Sequence, residues 1–358
     1  MTFFGAVNAA TELPSTPSNL TLNLTPLAIT LRSLSALRLY PVARSPVNVA
    51  SVLSVLPMVR IKCRFVVESS TPRNPKMFSS GLLHNKRILI TGGGTGLGRG
   101  MAQRFLELGA VVCICGRRED VLKQTASELS AATQGVIHAI PCDVRDREAV
   151  ESMIESIWKD GPLDILVNNA AGNFIARTEE LSPRAFDSVL GIVLMGTLHC
   201  TLACGRRWLS AGLRGTVLSI SATYAPVGSA YVVPSAVSKA GVEALMRSLA
   251  VEWGDRGIRM NAIAPGPIPT QGAFSRVLPR PDLETLALDR NPQHRFGTVE
   301  ELANLATFLV SDGSAYINGE VIRMDGGEFL QGAGEFTALG RVLKDSDWEA
   351  LKPRKKSD

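Results

Sequence analysis

The sequence predicts an α/β protein with one doubly wound parallel sheet of about seven strands and helices on both faces. Three observations support this prediction. Short apolar runs alternate with longer segments whose apolar residues recur at helical spacing. The connections between these segments are short, and a glycine-rich turn separates the first apolar run from the first helical segment. Because strand–helix–strand units of this kind cross over in a right-handed sense, consecutive strands are expected to run parallel.

The predicted elements follow one another in alternation. Strands are expected at residues 88–90, 111–115, 136–141, 165–167, 216–220, 258–264 and 321–324. Helices are expected at residues 97–108, 120–132, 148–158, 183–209, 234–253 and 299–309. These elements are expected to form one domain at residues 81–340, followed by a tail at 341–358, because the sequence shows neither an internal repeat nor a second domain.

Residues 1–80 differ in composition from the rest of the chain. They contain eight Lys and Arg against two Asp and Glu, whereas the remaining residues contain 30 and 31. The basic pI therefore belongs to this extension, and the folded part gives no electrostatic reason to expect a nucleic-acid partner. The composition resembles a mitochondrial transit peptide, which would direct the protein to the matrix. The alternative is a cytoplasmic bacterial protein that starts at Met58 or Met77; in either case most of the extension is expected to be poorly ordered.

The sequence gives little support for a disulfide, a metal site or a membrane span. Its cysteines show no C-x-x-C pair, and most lie in apolar surroundings, which indicates reduced core thiols and no metal centre. They are Cys63, Cys113, Cys115, Cys142, Cys200 and Cys204. The apolar run at residues 46–59 is interrupted by polar side chains and is too short to cross a bilayer.

The glycine-rich turn TGGGTGLG, at residues 91–98, is the first functional signal. Glycine admits positive φ and lets a ligand approach the backbone, while the following helix directs free N–H groups and its dipole at the turn. A strand, such a turn and a helix form the Rossmann-type site for a dinucleotide pyrophosphate, with an ordinary glycine-closed loop as the alternative. The residues expected to bind the cofactor here are Gly92, Gly93, Gly94, Thr95, Gly96, Leu97 and Gly98.

The end of the second strand indicates which dinucleotide binds. An acidic side chain about 20 residues beyond the glycines would bind the ribose 2′-hydroxyl of NAD, whereas an arginine suits the 2′-phosphate of NADP. Here Arg117 follows Gly98 by nineteen residues, and the acidic residues that follow the second strand, Glu119 and Asp120, come too late to reach the ribose. The sequence therefore predicts NADP(H). The alternative for Arg117 is a solvated side chain at the start of a helix.

The spacing T-G-x-x-x-G-x-G resembles the nucleotide-binding turn of the short-chain dehydrogenase/reductase family, and three further strand ends match that family in order. Asp143 matches an aspartate that accepts from the adenine amino group; the alternative role of helix N-cap fits Asp146 better. Asn169, in the segment NNAAG, matches the family's N-N-A-G segment beside the nicotinamide ribose. The loop that holds the nicotinamide carboxamide is matched by Pro265, Gly266, Pro267 and Ile268.

The chain departs from the carbonyl-reducing members of that family at three of their four catalytic positions. Those members use Asn, Ser, Tyr and Lys, with the last two spaced Y-x-x-x-K. Lys239 is present, but Ser235 occupies the tyrosine position, Ala222 the serine position and Val193 the asparagine position. Because a serine hydroxyl is a far weaker acid than a phenol of pKa about 10, carbonyl reduction by the usual route is not expected.

These departures resemble the mitochondrial-type 2,4-dienoyl-CoA reductases, through residues 169–174, 221–239, 272–276 and 317–321. The resemblance implies that Tyr224 and Asn173 hydrogen-bond the substrate oxygen, that Lys239 binds the nicotinamide ribose, and that Ser235 is its hydroxyl neighbour. It also implies NADPH-dependent reduction of 2,4-dienoyl-CoA to 3-enoyl-CoA in unsaturated fatty-acid β-oxidation, by a homotetramer. One departure from that family is Tyr231, which replaces a Phe.

Each of these roles has a structural alternative. Tyr224 could be a packed aromatic at the end of a strand, Asn173 a turn cap and Lys239 a helix-surface lysine. Tyr231 fits no catalytic spacing, so it is expected in the core or in a pocket wall.

The acyl-CoA thioester implied by the resemblance needs positive groups for its phosphates, and arginine suits them through its bidentate fork. By the same resemblance the thioester is expected to lie along Arg145, Phe174, Ser182 and Arg276. Ordinary surface charge is the alternative for the arginines. Two other functions stay open: a reductase of the same fold acting on another carbonyl or enoyl thioester, such as a 3-oxoacyl thioester, and a non-catalytic NADP(H)-binding protein. The C-terminal sequence has no S-K-L address, which weakens the case for a peroxisome.

Overall fold

The computed structural model describes residues 77–270, 281–333 and 343–350. Most of the N-terminal extension, including Cys63, and the predicted substrate residue Arg276 lie outside the described residues. Every strand predicted from the sequence is confirmed to within one residue at either end. The strands are β1 (Arg87–Thr91), β2 (Val111–Gly116), β3 (Ile137–Pro141), β4 (Ile165–Asn168), β5 (Gly215–Ile220), β6 (Ile258–Pro265) and β7 (Val321–Met324).

Helices precede or follow the strands in the expected alternation. The described helices are α1 (Gly96–Glu107), α2 (Glu119–Thr133), α3 (Arg147–Lys159), α4 (Pro183–Leu190), α5 (Gly196–Ala211), α6 (Val233–Glu252), α7 (Pro281–Asp289), α8 (Val299–Val310), α9 (Glu328–Ala333) and α10 (Asp345–Ala350). Five of the six predicted helices are confirmed to within one residue. The exception is the predicted helix 183–209.

Within the described residues the strands form one sheet in the order β3-β2-β1-β4-β5-β6-β7, and every neighbouring pair is parallel. This confirms the predicted doubly wound fold. The strand order reverses direction at β1, which pairs with β2 on one side and with β4 on the other. In such sheets ligands bind in the crevice beyond the carboxyl ends of the strands at the reversal point. The predicted cofactor and catalytic residues nearly all follow these carboxyl ends.

Alternating residues of the strands build two cores on opposite faces of the sheet. Ile88 and Ile90 of β1 belong to one core, with apolar residues of α1, α2 and α8. Leu89 belongs to the other core, with apolar residues of α3, α5 and α6. Because both faces are covered, the strands read as nearly continuous apolar runs, which is why the sequence reveals them so clearly.

The predicted helix 183–209 is divided into three parts, which corrects the sequence prediction. Between α4 and α5 the backbone forms a five-residue π-helix, Gly191–Met195. At its C-terminal side the Thr197 hydroxyl donates to the Val193 carbonyl over 2.7 Å. The π-helix adds a residue to the turn without interrupting the apolar pattern, so hydrophobic periodicity cannot reveal it.

Residues 183–211 are also, among the described residues, the one helical stretch long and apolar enough to cross a membrane by length and composition. Half of its most apolar window is buried inside the protein. Cys200, Cys204 and Trp208 of α5 are fully enclosed in the second core. A core helix passes the same test, so this stretch is no evidence of a membrane span.

The five cysteines in the described part of the chain are free and buried, as predicted for core thiols. Burial raises the pKa of the Cys113 thiol to about 11, despite the opposing charge of Arg87. Burial also raises the pKa of Cys142 to about 11. These thiols are therefore protonated and unreactive near neutral pH. Among the described residues no group of three or more His, Cys, Asp or Glu side chains could hold a metal ion.

Candidate active site

The turn at residues 91–98 has a backbone that side chains would obstruct. Gly92 and Gly96 adopt φ of +66° and +55°, which favour glycine. A Cβ atom at Gly93 would lie 2.5 Å from Cγ2 of Ile114, and one at Gly98 would overlap the Gly92 carbonyl oxygen. Four glycines are therefore required by the path of the backbone.

The start of α1 is suited to an anion. Its N-cap residue, Thr95, is exposed, and no capping bond from its side chain is found within the described part of the chain. The first turn of α1 also contains no acidic residue. The positive end of the helix dipole and the free N–H groups are thus available beside the glycine turn. These features fit the pyrophosphate of a dinucleotide, as the spacing of the glycines predicts.

Asn169 braces this turn from the neighbouring strand. Its side-chain Nδ2 donates to the carbonyl oxygens of Thr91 and Gly92 over 2.9 and 3.2 Å. In return the Thr91 hydroxyl accepts from the backbone N–H groups of Asn169 and Ala170, each over 3.0 Å. The end of β4 is thereby fixed against the end of β1. The carboxamide of Asn169 acts on the turn, and its neighbouring backbone faces the same crevice.

Arg117 and Asp143 lie at the ends of β2 and β3, where the adenosine half of a dinucleotide is expected. Arg117 is exposed, just beyond Gly116. A hydrogen bond from the Arg145 side chain lowers the pKa of Asp143, and the charge of Arg117 lowers it further. Asp146 caps α3 by accepting from two backbone N–H groups, so the N-cap role belongs to Asp146, as the sequence indicates.

Arg145, predicted to line the acyl-CoA path, is engaged with Asp143 in this structure. Its Nε lies 3.0 Å from both carboxylate oxygens, and its Nη2 forms an ion pair with Oδ2. The aliphatic part of Arg145 lies next to Gly191, at the start of the π-helix. The guanidinium is 43% exposed, so solvent and ligands can reach it.

Helix α6 brings three of the four predicted catalytic residues together. The hydroxyl groups of Tyr224 and Ser235 are 3.0 Å apart, and either can donate. Lys239, one turn further along α6, donates from Nζ to the Ile220 carbonyl at the end of β5. Ser235 and Lys239 are 2% and 7% exposed, which excludes the helix-surface alternative for the lysine.

Burial sets the protonation of this cluster. It raises the pKa of the Tyr224 phenol, an effect that the hydrogen bond with Ser235 partly offsets. Tyr224 therefore stays protonated near neutral pH and can donate a hydrogen bond. Burial lowers the pKa of Lys239 to about 8, so the ammonium form still predominates at pH 7.

The segment after β4 carries the other predicted substrate residues. The Asn173 side chain accepts from the Phe174 N–H over 2.9 Å through Oδ1, which matches part of its predicted turn-cap alternative. Phe174 packs against the buried residues Val189, Val193 and Val242. Ser182 caps α4 by accepting from the Ala185 N–H over 3.2 Å, so its side chain has a clear structural role.

A backbone bond joins this segment to the loop of Tyr224. The Ala176 N–H donates to the carbonyl of Tyr231 over 3.0 Å, which brings the loops that carry Asn173 and Tyr224 side by side. The structure does not place Tyr231 in the core, which was one of its two predicted locations. Its side chain is 60% exposed, and its backbone has φ of +64°.

The predicted carboxamide loop follows β6. The Gly266 N–H donates to the Met324 carbonyl over 2.9 Å, and the Gly297 N–H donates to that of Pro267 over 3.1 Å. These bonds hold residues 265–268 beside the end of β7, and Gly266 and Pro267 line a cavity of about 640 Å³. Ile268 packs partly against the first core. The loop is therefore fixed at the same edge of the sheet as the glycine turn.

Buried apolar residues occupy two of the positions at which the carbonyl-reducing members have catalytic side chains. Val193 lies buried in the π-helix, and Ala222 lies buried just beyond β5. The four groups of the usual carbonyl-reducing site are thus reduced to Lys239. Tyr224, two residues beyond Ala222, brings a phenol from the loop after β5 to within 3.0 Å of the Ser235 hydroxyl.

Sequence reasoning missed two polar contacts that shape the site. The buried hydroxyl of Thr125 on α2 donates to the Gly94 carbonyl over 2.8 Å and so supports the glycine turn. The buried carboxylate of Glu243 on α6 accepts from the Ser221 hydroxyl over 2.7 Å. Thr125 belongs to no motif, and Glu243, although it follows Lys239 in the same helix motif, has no role that the motif indicates; both lie far along the chain from their partners.

A glycine turn that allows close approach of a dinucleotide and a buried lysine tied to the end of β5 lie at the carboxyl side of one parallel sheet, which is typical of a nicotinamide-dependent oxidoreductase. A family model described as "Enoyl-(Acyl carrier protein) reductase" matches residues 92–328. The chain belongs to this family, which is part of the short-chain dehydrogenases/reductases.

Similar proteins agree with this assignment. The chain is 44% identical over 269 residues to a probable 2,4-dienoyl-CoA reductase 3, (3E)-enoyl-CoA-producing, from Caenorhabditis elegans, covering 72% of this chain and 87% of that protein. It is 44% identical over 250 residues to a probable 2,4-dienoyl-CoA reductase, (2E)-enoyl-CoA-producing, from Bacillus subtilis, covering 69% and 98%. A crystal structure of a short chain dehydrogenase from Bacillus anthracis is similar with a TM-score of 0.62 and 44% identity, covering 68% and 96%.

Proposed function

We propose that this protein reduces 2,4-dienoyl-CoA to 3-enoyl-CoA with NADPH, as a step in unsaturated fatty-acid β-oxidation. The observation that carries the proposal is the pair of hydroxyl groups of Tyr224 and Ser235, 3.0 Å apart beside Lys239. The similarity to 2,4-dienoyl-CoA reductases at 44% identity supports the choice of substrate.

The reaction needs hydrogen-bond donors more than it needs an acid. NADPH held by residues 92–98 and Lys239 would supply a hydride to the far carbon of the conjugated diene, and negative charge would then develop on the thioester oxygen. In a site shielded from water, each fixed hydrogen-bond donor stabilises such a developing charge by about 3 kcal/mol. Tyr224, kept protonated by burial, is such a donor, and the Asn173 amide is the second that we propose.

Water then protonates the α-carbon of the dienolate, so Tyr224 keeps its proton throughout. Under this proposal no acid is needed at position 235, so a serine suffices there. The proposed role of Ser235 is to orient the Tyr224 hydroxyl through their mutual hydrogen bond.

The proposed cofactor site runs along the carboxyl edge of the sheet. Residues 92–98 would hold the pyrophosphate, Arg117 the 2′-phosphate and Asp143 the adenine amino group. Asn169 and Lys239 would flank the nicotinamide ribose, and residues 265–268 the carboxamide. The exposed Arg117 and the lack of an acidic residue between the end of β2 and Glu119 support NADPH over NADH.

The proposed acyl-CoA path lies on the other side of the nicotinamide. Arg145 and Arg276 would bind phosphates, and Phe174 and Ser182 would line the path. Phe174 offers an apolar surface backed by buried valines, which suits the pantetheine or acyl portion of the thioester. The side chain of Arg145 is 43% exposed, which supports a role in binding a phosphate of the thioester.

The proposed organisation of the chain keeps residues 81–340 as the reductase domain and assigns the acid-poor extension to targeting or to an upstream start. A mitochondrial protein would carry a cleaved extension, whereas a bacterial one would be cytoplasmic. Fusion of residues 1–80 to a fluorescent protein separates these options by its location in a eukaryotic cell. The homotetramer implied by the family is tested by light scattering of the purified chain.

The function is tested by mixing the purified protein with NADPH and a 2,4-dienoyl-CoA and following loss of the dienoyl absorbance. The proposal predicts turnover of this substrate and little turnover of acetoacetyl-CoA. Activity on acetoacetyl-CoA alone would favour the 3-oxoacyl reductase alternative. The Ser235→Tyr variant adds a discriminating control, because restoring the usual acid should not improve dienoyl-CoA reduction.

A further inference from the structure

The carboxylate of Glu243 stands out because it is only 3% exposed yet belongs to none of the predicted site residues. A buried carboxylate requires hydrogen-bond partners to offset the loss of hydration. Oε1 of Glu243 accepts from the Ser221 hydroxyl over 2.7 Å, and Oε2 accepts from Nη2 of Arg247 over 3.0 Å. One oxygen thus faces the sheet and the other faces a guanidinium that is 54% exposed.

The Ser221 contact attaches Glu243 to the end of β5. Ser221 follows Ile220, and its backbone N–H donates to the Ile263 carbonyl of β6 over 2.7 Å. Ile220 is the residue whose carbonyl accepts from Lys239. Two consecutive residues at the strand end are therefore tied to α6 by two side chains.

These contacts form a regular series along α6. Ser235, Lys239 and Glu243 are spaced four residues apart, so they lie on one face of the helix at successive turns. Their partners are Tyr224, Ile220 and Ser221, which all belong to the end of β5 and the loop that follows it. The series fixes both ends of the short segment that carries the Tyr224 phenol.

We propose that Glu243 is a positioning residue that, through Ser221, sets the place of Tyr224 at the end of β5. The proposal rests on the proposed function only in taking Tyr224 as the hydrogen-bond donor to the substrate. Glu243 itself touches neither Tyr224 nor Lys239 in the contacts of the described residues, so its effect on the reaction passes through the strand end.

Four variants separate this role from a general effect on the fold. Ser221→Ala removes the hydroxyl that reaches Glu243, and Glu243→Leu removes the acceptor while keeping an apolar volume. Glu243→Gln keeps an oxygen that can accept from Ser221. Arg247→Ala is the matched control, because it removes the other partner of the same carboxylate and leaves the Ser221 contact in place.

The first readout is independent of the substrate. The protein is labelled with [13Cζ]tyrosine, and the Tyr224 signal is identified by its loss in Tyr224→Phe. We expect Ser221→Ala and Glu243→Leu each to move this signal, whereas Glu243→Gln and Arg247→Ala leave it at the wild-type position. The thermal midpoint of each variant is measured in parallel.

The second readout is turnover of 2,4-dienoyl-CoA. Ser221→Ala and Glu243→Leu are expected to lower kcat about tenfold with little change in the KM for NADPH, a loss that corresponds to about 1.4 kcal/mol. Glu243→Gln should restore most of kcat. A double variant, Ser221→Ala with Glu243→Leu, should be no worse than either single variant, because the two residues act as one contact.

The proposal is wrong if either Ser221→Ala or Glu243→Leu lowers the thermal midpoint while leaving the Tyr224 signal unmoved. The proposal is also wrong if Arg247→Ala shifts the Tyr224 signal as far as Ser221→Ala and Glu243→Leu do. Absence of dienoyl-CoA turnover in the wild-type protein would overturn the proposed function instead, and the tyrosine signal would still decide the role of Glu243.

Discussion

The two halves of the candidate site are built by different means. In the cofactor half, residues 91–98, the shape comes from the backbone, and the glycines are needed because side chains would collide with it. In the substrate half, where α6 meets the end of β5, the shape comes from side chains that hold one another through hydrogen bonds. Substitutions that add a side chain are therefore expected to disrupt the cofactor half, and substitutions that remove a polar group are expected to disrupt the substrate half.

The largest effect is expected in the substrate half, from Tyr224→Phe. Loss of one donor to a developing oxyanion lowers kcat by about 10²- to 10³-fold. The affinity for NADPH, measured by fluorescence titration, should not change, because the variant leaves the glycine turn intact. Tyr231→Phe is the matched control, since that phenol is 60% exposed and should be dispensable. Unchanged turnover by Tyr224→Phe would favour the non-catalytic alternative.

In the cofactor half, Gly98→Ala is expected to weaken NADPH binding, whereas Tyr224→Phe lowers kcat and leaves that binding unchanged. The added methyl group would overlap the Gly92 carbonyl and lie 2.6 Å from Nδ2 of Asn169, so the turn must shift. Overpacking of this kind costs about 1–3 kcal/mol, and the Kd for NADPH should rise about 10- to 100-fold. Gly332→Ala is the control, because a Cβ there meets nothing within 4 Å. If Gly98→Ala lowers kcat and leaves the Kd for NADPH unchanged, the claim that this half of the site serves only to bind the cofactor is wrong.

A smaller effect, confined to one cofactor, is expected from Arg117→Ala. Loss of a solvent-exposed charge-assisted hydrogen bond should raise the Kd for NADPH about tenfold, while the Kd for NADH stays the same. Arg118→Ala, at the neighbouring exposed position, should change neither constant. An equal rise in the Kd values for NADPH and NADH would show that Arg117 does not bind the 2′-phosphate.

The smallest effect is expected in the pH dependence of NADPH affinity, through Lys239, which lies between the two halves of the site. Because the pKa of Lys239 is lowered by burial to about 8, the ammonium is present at pH 7 and is progressively lost above pH 8. If the charged form binds the cofactor, the affinity for NADPH should be about fourfold weaker at pH 8.5 than at pH 7. The matching titration of Lys239→Met should be flat over this interval. A wild-type affinity that rises with pH would contradict the assignment.

The contrast between the halves also explains what the sequence could reveal. The glycine turn is a local signal, since Gly92, Gly96 and Gly98 are neighbours in sequence and in space. The strands are equally clear in the sequence, because most of them are buried on both faces of the sheet and form short, nearly continuous apolar runs. The replacement of the usual acid by Ser235 is visible as a broken spacing, whereas Tyr224 is indicated only by the resemblance to the 2,4-dienoyl-CoA reductases.

The remaining features depend on contacts between distant residues. Glu243 in a helix pattern reads as a solvated carboxylate until the structure shows Ser221 opposite it. The π-helix Gly191–Met195 leaves the apolar pattern intact, so a single long helix was predicted. Tyr231 is exposed and has a left-handed backbone, which an aromatic residue rarely adopts, so neither feature can be predicted from its residue type.

The most direct test of the central claim is to follow both hydrogens into the product. The protein is given a 2,4-dienoyl-CoA with NADPH in deuterated water, and in a second reaction with deuterium-labelled NADPH in ordinary water. The account predicts a 3-enoyl-CoA with cofactor deuterium on the far carbon of the former diene and solvent deuterium on the α-carbon. A 2-enoyl-CoA with solvent deuterium on the γ-carbon would contradict it, because protonation would then occur at a position that donors on the thioester oxygen do not favour.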